Sequence, residues 1–91
     1  MALDLQILTA SQVLMTGQVD EVVAPSASGE VGIMPNHTQY ITILGQGRLA
    51  YRQGERTEEF QITGGLARVE ENKVTVLVDS ILANLGRSLP A

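Results

Sequence analysis

Glu30 and His37 are the residues of this chain that come nearest to a catalytic pair. His37 is the only histidine, and both lie in the segment from Gly29 to His37, whose two glycines and Pro35 predict a loop. General acid–base catalysis usually places two titratable groups together in a cleft, so an enzyme would require these side chains to converge. Two such residues without a third partner are a weak signature of an active site. We therefore favour a solvated carboxylate and a histidine at the start of a strand.

Metal and phosphate chemistry find little support. The chain has one histidine and no cysteine, which falls short of a typical set of three or four metal ligands. The glycine pairs at 29 and 32, 45 and 47, and 64 and 65 lack the Lys-Ser/Thr ending of a phosphate loop. We expect no cofactor and no metal, and we interpret Gly64-Gly65 as a bulge or a close backbone approach.

Composition narrows the partners. The 91 residues make one domain, and the net charge of -4 argues against binding to nucleic acid. The N-terminus lacks a basic and apolar signal sequence, and no apolar run approaches the roughly 18 residues of a membrane span. We expect a soluble chain.

Alternating apolar and polar residues predict an all-β fold. Residues 3 to 9 form a strand with Leu3, Leu5 and Ile7 inward, and 39 to 44 form another. Two hairpins are predicted, around Gln53-Gly54-Glu55 and around Glu70-Glu71-Asn72. Eight to ten short strands of this kind indicate an antiparallel sandwich or barrel.

Two other segments are predicted to lie outside the strands. Residues 25 to 28 are turn formers and predict a loop. The tail from 81 to 91 follows a domain spanning 1 to 80 and is expected to be partly helical or irregular. Asp79 or Ser80 would cap a short helix that runs through Leu85.

Three motifs together resemble a known family. They are the segment Gly29-Glu30-Val31-Gly32-Ile33-Met34-Pro35-Asn36-His37, then Ile62-Thr63-Gly64-Gly65-Leu66, then Asn72-Lys73-Val74-Thr75-Val76-Leu77-Val78-Asp79. In this order and spacing they resemble the N-terminal domain of the epsilon subunit of F-type ATP synthases. The likeness covers residues 3 to about 80.

The resemblance implies a flattened, ten-stranded β-sandwich that is a non-catalytic part of the central stalk. Such a subunit binds gamma and the c-ring, rotates with them, and helps couple proton or sodium translocation to ATP synthesis at the cytoplasmic face of the bacterial inner membrane or its organellar equivalent. The implied c-ring contacts are Gly29, Glu30 and Val31. The implied gamma contacts are His37, Thr38, Tyr40 and Thr42.

This chain departs from the family pattern in one respect. Family members commonly continue into a regulatory helical hairpin, which in some cases binds ATP through an acidic-arginine motif. The residues from Asp79 to Arg87 do not match that motif, so neither inhibition nor nucleotide binding carries over.

The alternative function is a free-standing sandwich that binds a small ligand. A stalk subunit predicts flat, moderately apolar patches, whereas a ligand-binding module predicts a deep pocket.

Overall fold

A computed structural model describes residues 2–27, 29–33 and 39–88, the last six of these by their backbone alone. Within these ranges the chain is all β, as predicted. Its strands are β1 Leu3–Leu8, β2 Val13–Val19, β3 Glu21–Ser26, β4 Gly29–Ile33, β5 Tyr40–Leu44, β6 Gly47–Gln53, β7 Arg56–Ile62, β8 Gly65–Glu70, β9 Lys73–Val78 and β10 Ile81–Ser88.

The strands form one curled sheet in the order β10-β7-β6-β3-β5-β8-β9-β1-β2, with β4 added beside β3. All pairs are antiparallel except β1 with β9. The curl brings the edge strand β2 back to β6, where Gln53 Nε2 donates to the carbonyl of Gln18 at 3.0 Å. The sheet thus closes over itself and produces two facing layers.

The core lies between these layers. Alternate residues of each strand point inward, and the predicted inward positions Leu3, Leu5 and Ile7 are at most 2% exposed. They join one apolar cluster with residues from both halves of the sheet, among them Leu49 and Val76. Among the described residues, no polar or charged residue is buried. The hydrophobic effect is therefore the main force that holds the two layers together.

Both predicted hairpins are confirmed. Gly54 turns β6 into β7 with φ +63°, and Glu71 and Asn72 turn β8 into β9 with φ +47° and +63°. Two successive positive φ values match the turn type that suits the twist of a two-residue hairpin. These turns fix the register between β6 and β7 and between β8 and β9, and so set which outward side chains are neighbours.

Gly65 shows the close backbone approach that its sequence context predicted. Its φ is +154°, and a Cβ atom built there would lie 2.1 Å from the carbonyl oxygen of Leu77. Only glycine fits, because this neighbour is a backbone atom and cannot swing away. Gly65 therefore lets the start of β8 pair with the end of β9, where its partner is Val78.

The loop predicted at 25 to 28 is wrong at Pro25 and Ser26, and the loop predicted at 29 to 37 is wrong from 29 to 33; residues 28 and 34 to 37 lie outside the described residues. β3 continues through Pro25 to Ser26, and Gly29–Ile33 is strand β4, which pairs with β3. Proline is tolerated here because β3 changes neighbour at this point, from β6 at Val23 to β5 at Ser26. The carbonyl of Pro25 still accepts a hydrogen bond from Gly45 N at 2.9 Å.

The helix predicted after Asp79 is also wrong. Residues 81–88 form strand β10, which pairs with β7. Ser80 does not cap a helix; its backbone N donates to Thr63 Oγ1 at 3.1 Å and its carbonyl accepts from Thr63 N. A helix of one or two turns cannot hold itself, whereas the edge of β7 offers a row of backbone partners. The boundary at residue 80 stays a prediction, and β10 joins the same sheet.

Candidate functional site

Glu30 lies on β4, and its side chain is 50% exposed. Its carboxylate accepts two hydrogen bonds from Arg48, from Nε to Oε2 at 3.1 Å and from Nη2 to Oε1 at 3.5 Å. The two nitrogens of one edge of the guanidinium thus meet the two oxygens of the carboxylate. The carboxylate keeps further acceptor positions directed to solvent.

Arg48 also binds a second carboxylate. Its Nη1 donates to Glu59 Oε2, so one guanidinium bridges Glu30 and Glu59. We call these three residues the Arg48 cluster. Hydrogen bonds from Arg48 to Glu30 and then to Glu59 raise the pKa of the Arg48 guanidinium. The cluster contains two carboxylates and one cation, and therefore carries a net negative charge.

Strand register explains how the Arg48 cluster forms. Glu30 is opposite Pro25 on β3, and Pro25 also borders β6, where a Cβ atom on Gly47 would lie 2.8 Å from the Cβ of Pro25. Arg48 follows Gly47 on β6. Glu59 on β7 pairs with Ala50, two residues beyond Arg48, which makes it a diagonal neighbour of Arg48. Long side chains reach such diagonal partners across a sheet.

The same half of the sheet carries other paired charges. Arg52 lies 3.5 Å from Asp20 and 3.8 Å from Glu21. The hydroxyl of Tyr51 donates to Glu58 at 2.7 Å. The ion pairs on this half of the sheet are therefore partly exposed.

The other half of the sheet presents an apolar row on its outer face. Successive cross-strand partners place one apolar residue on each of five neighbouring strands. These residues, which we call the apolar row, are Ile43, Leu66, Leu77, Leu8 and Val13. With strands spaced about 4.8 Å apart, the apolar row is about 19 Å long.

The residues of the apolar row are open to solvent. Ile43 is 74% exposed, Val13 55% and Leu77 42%, while Leu66 and Leu8 are half-buried. Ile41, two residues from Ile43 on the same face, is 63% exposed. Large exposed apolar patches on soluble proteins are commonly interaction sites.

Polarity rises away from the apolar row. The next row combines Ile41 with Arg68, Thr75, Gln6 and Thr16. The row beyond it is formed by Glu70, Lys73, Asp4 and Gln18, where Gln18 Nε2 donates to Asp4 Oδ1 at 3.3 Å. The face therefore has an apolar edge and a charged edge, as the core and rim of a protein interface have.

The predicted contact residues fall in different environments. Gly29 and Glu30 are exposed, and Val31 is half-buried against the core. Tyr40 and Thr42 are half-buried and pair with the buried Val69 and Ala67, so their side chains lie on the inner face.

His37 and Thr38 lie outside the described residues. The convergence of His37 with Glu30, which an enzyme would need, therefore stays untested.

Sequence reasoning missed Arg48 as the partner of Glu30 and missed the apolar row. The first joins residues 18 positions apart on strands that are not neighbours, and no local pattern reports this. The second had a signal: β5 carries Ile41 and Ile43 on one face and Tyr40 and Leu44 on the other, so it has large apolar side chains on both faces. A strand that is apolar on both faces in a single curled sheet requires a cover for its outer face.

The depressions that the described residues are found to form are open. One of about 370 Å³ is bordered by Gln39, Ile41, Arg68 and Glu70, all of which are exposed, together with Tyr40 and Val69. Burial raises the pKa of the Tyr40 phenol, which keeps it protonated at neutral pH. A site for a small molecule usually encloses most of its ligand, and these walls do not. The described residues contain no group of three or more side chains suited to a metal ion.

No helix of the length and apolarity required for a membrane span occurs among the described residues.

A family model described as "ATP synthase, Delta/Epsilon chain, beta-sandwich domain" matches residues 2–84 of the chain. Similar curated proteins include an ATP synthase epsilon chain of Nitratidesulfovibrio vulgaris, 42% identical over 79 residues, which covers 87% of this chain and 59% of the relative. An ATP synthase epsilon chain of an Anaeromyxobacter species is 45% identical over 80 residues, which covers 88% of this chain and 61% of the relative. The chain thus spans about three-fifths of the length of these relatives.

Solved structures share the fold. A chain in the Euglena gracilis mitochondrial ATP synthase, OSCP/F1/c-ring, superposes with a TM-score of 0.84 at 19% identity over 90% of this chain and 53% of that one. A chain in the Tetrahymena thermophila mitochondrial ATP synthase, central stalk/c-ring, gives a TM-score of 0.75 at 16% identity over 89% of this chain and 66% of that one. At these identities the likeness shows the β-sandwich fold alone.

Proposed function

Because the chain belongs to the family of the ATP synthase delta/epsilon chain β-sandwich domain, we propose that it is a rotor component of the central stalk of an F-type ATP synthase. In this role it binds the gamma subunit and the c-ring and helps couple ion translocation to ATP synthesis. The observation that supports it most is the presence of two exposed surfaces of opposite chemistry on one sheet. A mechanical coupler requires durable interfaces rather than reactive side chains.

The apolar row is the surface that suits gamma. A partner that rotates with this chain must remain bound through each turn, and burial of apolar area contributes roughly 25 cal/mol per Å². The apolar row, with Leu77 in its middle and Ile43 at one end, would form the apolar part of such an interface, with the rows of rising polarity along one side of it. The proposed contact would then involve the outward residues of β5, next to the inward Tyr40 and Thr42 that the resemblance implied.

Glu30 is the residue that suits the c-ring. An exposed carboxylate accepts charge-assisted hydrogen bonds from a guanidinium, amide or backbone N–H on a polar loop. Gly29 supports this contact, since it is exposed, has a φ of +111°, and a Cβ atom added to it would have no neighbouring atom within 4 Å. A loop of a partner can therefore approach the backbone beside Glu30 closely.

The chain in this role is non-catalytic and peripheral. It would reach the cytoplasmic face of the bacterial inner membrane, or the equivalent organellar face, through the complex it joins. Among the described residues, neither the Arg48 cluster nor the depression beside Tyr40 combines a nucleophile with a general base.

Complex formation with gamma tests the proposal. The full gene product should co-purify with the gamma subunit of its source and give a measurable heat of binding by calorimetry. A matched pair of lysine variants should separate a specific surface from a general charge effect: Ile43→Lys should reduce co-purification and Glu55→Lys, at an exposed turn, should not. Absence of binding by the unmodified protein would overturn the proposal.

A further inference from the structure

Arg48 binds the carboxylate of Glu30 across an intervening strand. Glu30 lies on β4, whose pairing within the described part of the sheet is with β3 alone. Arg48 lies on β6, on the far side of β3. Two strand spacings separate the backbones by about 10 Å, so the Arg48 side chain crosses β3 to reach Glu30.

The far end of Arg48 is itself anchored. Its Nη1 binds Glu59 on β7, which pairs with β6 along its whole length. The guanidinium is planar and its donors have a fixed geometry, so anchoring one edge at Glu59 orients the edge that meets Glu30. The contact to Glu30 uses both of its oxygens, at 3.1 and 3.5 Å.

We propose that Arg48 is a positioning residue for the docking carboxylate of Glu30, which it holds in one orientation against the sheet so that the free acceptor positions of the carboxylate face the partner. This inference rests on the proposed contact between Glu30 and the c-ring. It adds a residue that lies outside the Gly29–Val31 segment and does not itself require contact with the ring. The benefit to binding is preorganisation, because the side-chain freedom of Glu30 is already restricted before the partner arrives.

The alternative role of Arg48 predicts a change in affinity of the opposite sign. If Arg48 only neutralised Glu30, its removal would raise the negative charge of this surface and strengthen binding to a donor or cation on the ring. If Arg48 positions Glu30, its removal leaves two unbridged carboxylates and a mobile Glu30, and binding weakens. The direction of the change in affinity therefore separates the two roles.

Arg52 supplies a matched control. It follows Arg48 by four residues on β6, its side chain is 41% exposed against 40% for Arg48, and it also lies beside two carboxylates. Its partners are Asp20 and Glu21, not Glu30. Arg52→Met thus removes the same charge from the same strand and leaves the Arg48 cluster intact.

The test measures the affinity of the full gene product for the purified, detergent-solubilised c-ring of its source. We expect Arg48→Met to weaken binding up to about fivefold relative to Arg52→Met, which corresponds to the upper value for an exposed ion pair. Arg48→Lys should restore part of the loss, since a lysine keeps the charge without the two-nitrogen edge. In a Glu30→Gln background, Arg48→Met should have no further effect. Equal or tighter binding by Arg48→Met would overturn the proposal.

A second readout does not need the ring. The Nε–H resonance of Arg48 in a ¹⁵N NMR spectrum should shift and exchange faster with water when Glu30 is replaced by glutamine, and should not respond to Asp20→Asn. If the unmodified chain fails to bind the ring, the proposed function fails by itself. If the chain binds the ring but the Arg48 resonance does not change in Glu30→Gln, the positioning role is overturned and the proposed function stands.

Discussion

The outer faces of the two halves of the sheet differ in how their side chains are satisfied. On β6 and β7 the outward charges have partners within this chain: Arg48 bridges Glu30 and Glu59, and Arg52 lies beside Asp20 and Glu21. On β5, β8, β9, β1 and β2 the outward residues of the apolar row face solvent, with Ile43 at 74% exposure. In the first half the outward charges are already paired within the chain. The second half gains stability when another molecule covers its exposed apolar residues.

This difference teaches how one small domain can serve two partners. Burial of apolar area supplies lasting affinity, and oriented charges supply register and selectivity. In its proposed role at the junction of a stalk and a ring, the chain requires both properties. Their separation onto two halves of one sheet allows each contact to be changed without the other.

Gly65→Ala should have the largest effect, because it removes the pairing on which the apolar half depends. The new Cβ would meet the Leu77 carbonyl at 2.1 Å in a backbone conformation that L residues rarely adopt. We expect the free energy of unfolding to fall by about 3 kcal/mol or more.

Urea denaturation measures this change, and Gly45→Ala is the control, since nothing lies within 4 Å of its Cβ position. A stability equal to that of the control would show that β8 and β9 separate without cost. The apolar row would then not be a rigid surface.

Ile43→Lys should have the next largest effect, on binding to gamma. A charge at the end of the apolar row would have to be desolvated, and we expect a loss of about 2 kcal/mol, near the threshold of an interface hot spot. The fold should be unchanged because Ile43 is exposed. Calorimetry with purified gamma checks the affinity and a thermal melt checks the fold. Unchanged affinity would exclude the apolar row as the gamma surface.

Glu30→Arg should weaken binding to the c-ring by about 1 to 2 kcal/mol, because it replaces an acceptor of charge-assisted hydrogen bonds with a cationic donor beside Arg48. Attachment of the chain to the detergent-solubilised ring gives the measurement. Glu55→Arg, at an exposed turn, is the matched control. If the melting temperature fell steeply in Glu30→Arg alone, Glu30 would be a structural residue rather than a contact.

Salt should have the smallest effect, and its effect on binding should differ between the two halves of the sheet. Raising ionic strength from about 0.1 to 1 M shortens the screening length from about 10 to 3 Å. Binding to the ring through Glu30 should weaken, while binding to gamma through the apolar row should remain constant or strengthen. The same salt response for both partners would mean that the two surfaces do not differ in chemistry as described.

The strands and hairpins were predictable because their signals are local. Leu3, Leu5 and Ile7 alternate with polar residues, and Gly54 and Glu71-Asn72 occupy turns of the kind their sequences favour. The errors arose where non-local pairing prevails over local preference. Pro25 lies within β3 because that strand changes neighbour there, and residues 81–88 follow β7 instead of forming a helix.

The candidate site was predictable in part. Glu30 stood out as a carboxylate beside glycines, and it is exposed. Its partner Arg48 depends on the order β4-β3-β6, which no spacing along the chain encodes. The apolar row depends likewise on five strands in register, although β5 alone shows the apolar residues on its outer face.

The most direct test of the two-surface account is an NMR titration of the full gene product with each partner separately. Purified gamma should shift the methyl signals of the apolar row, including Ile43, Leu66 and Leu77, and leave the Nε–H signal of Arg48 in place. The detergent-solubilised c-ring should shift the signals of Glu30 and Arg48 and leave those methyl signals in place. Both partners shifting the same set of signals would contradict the account.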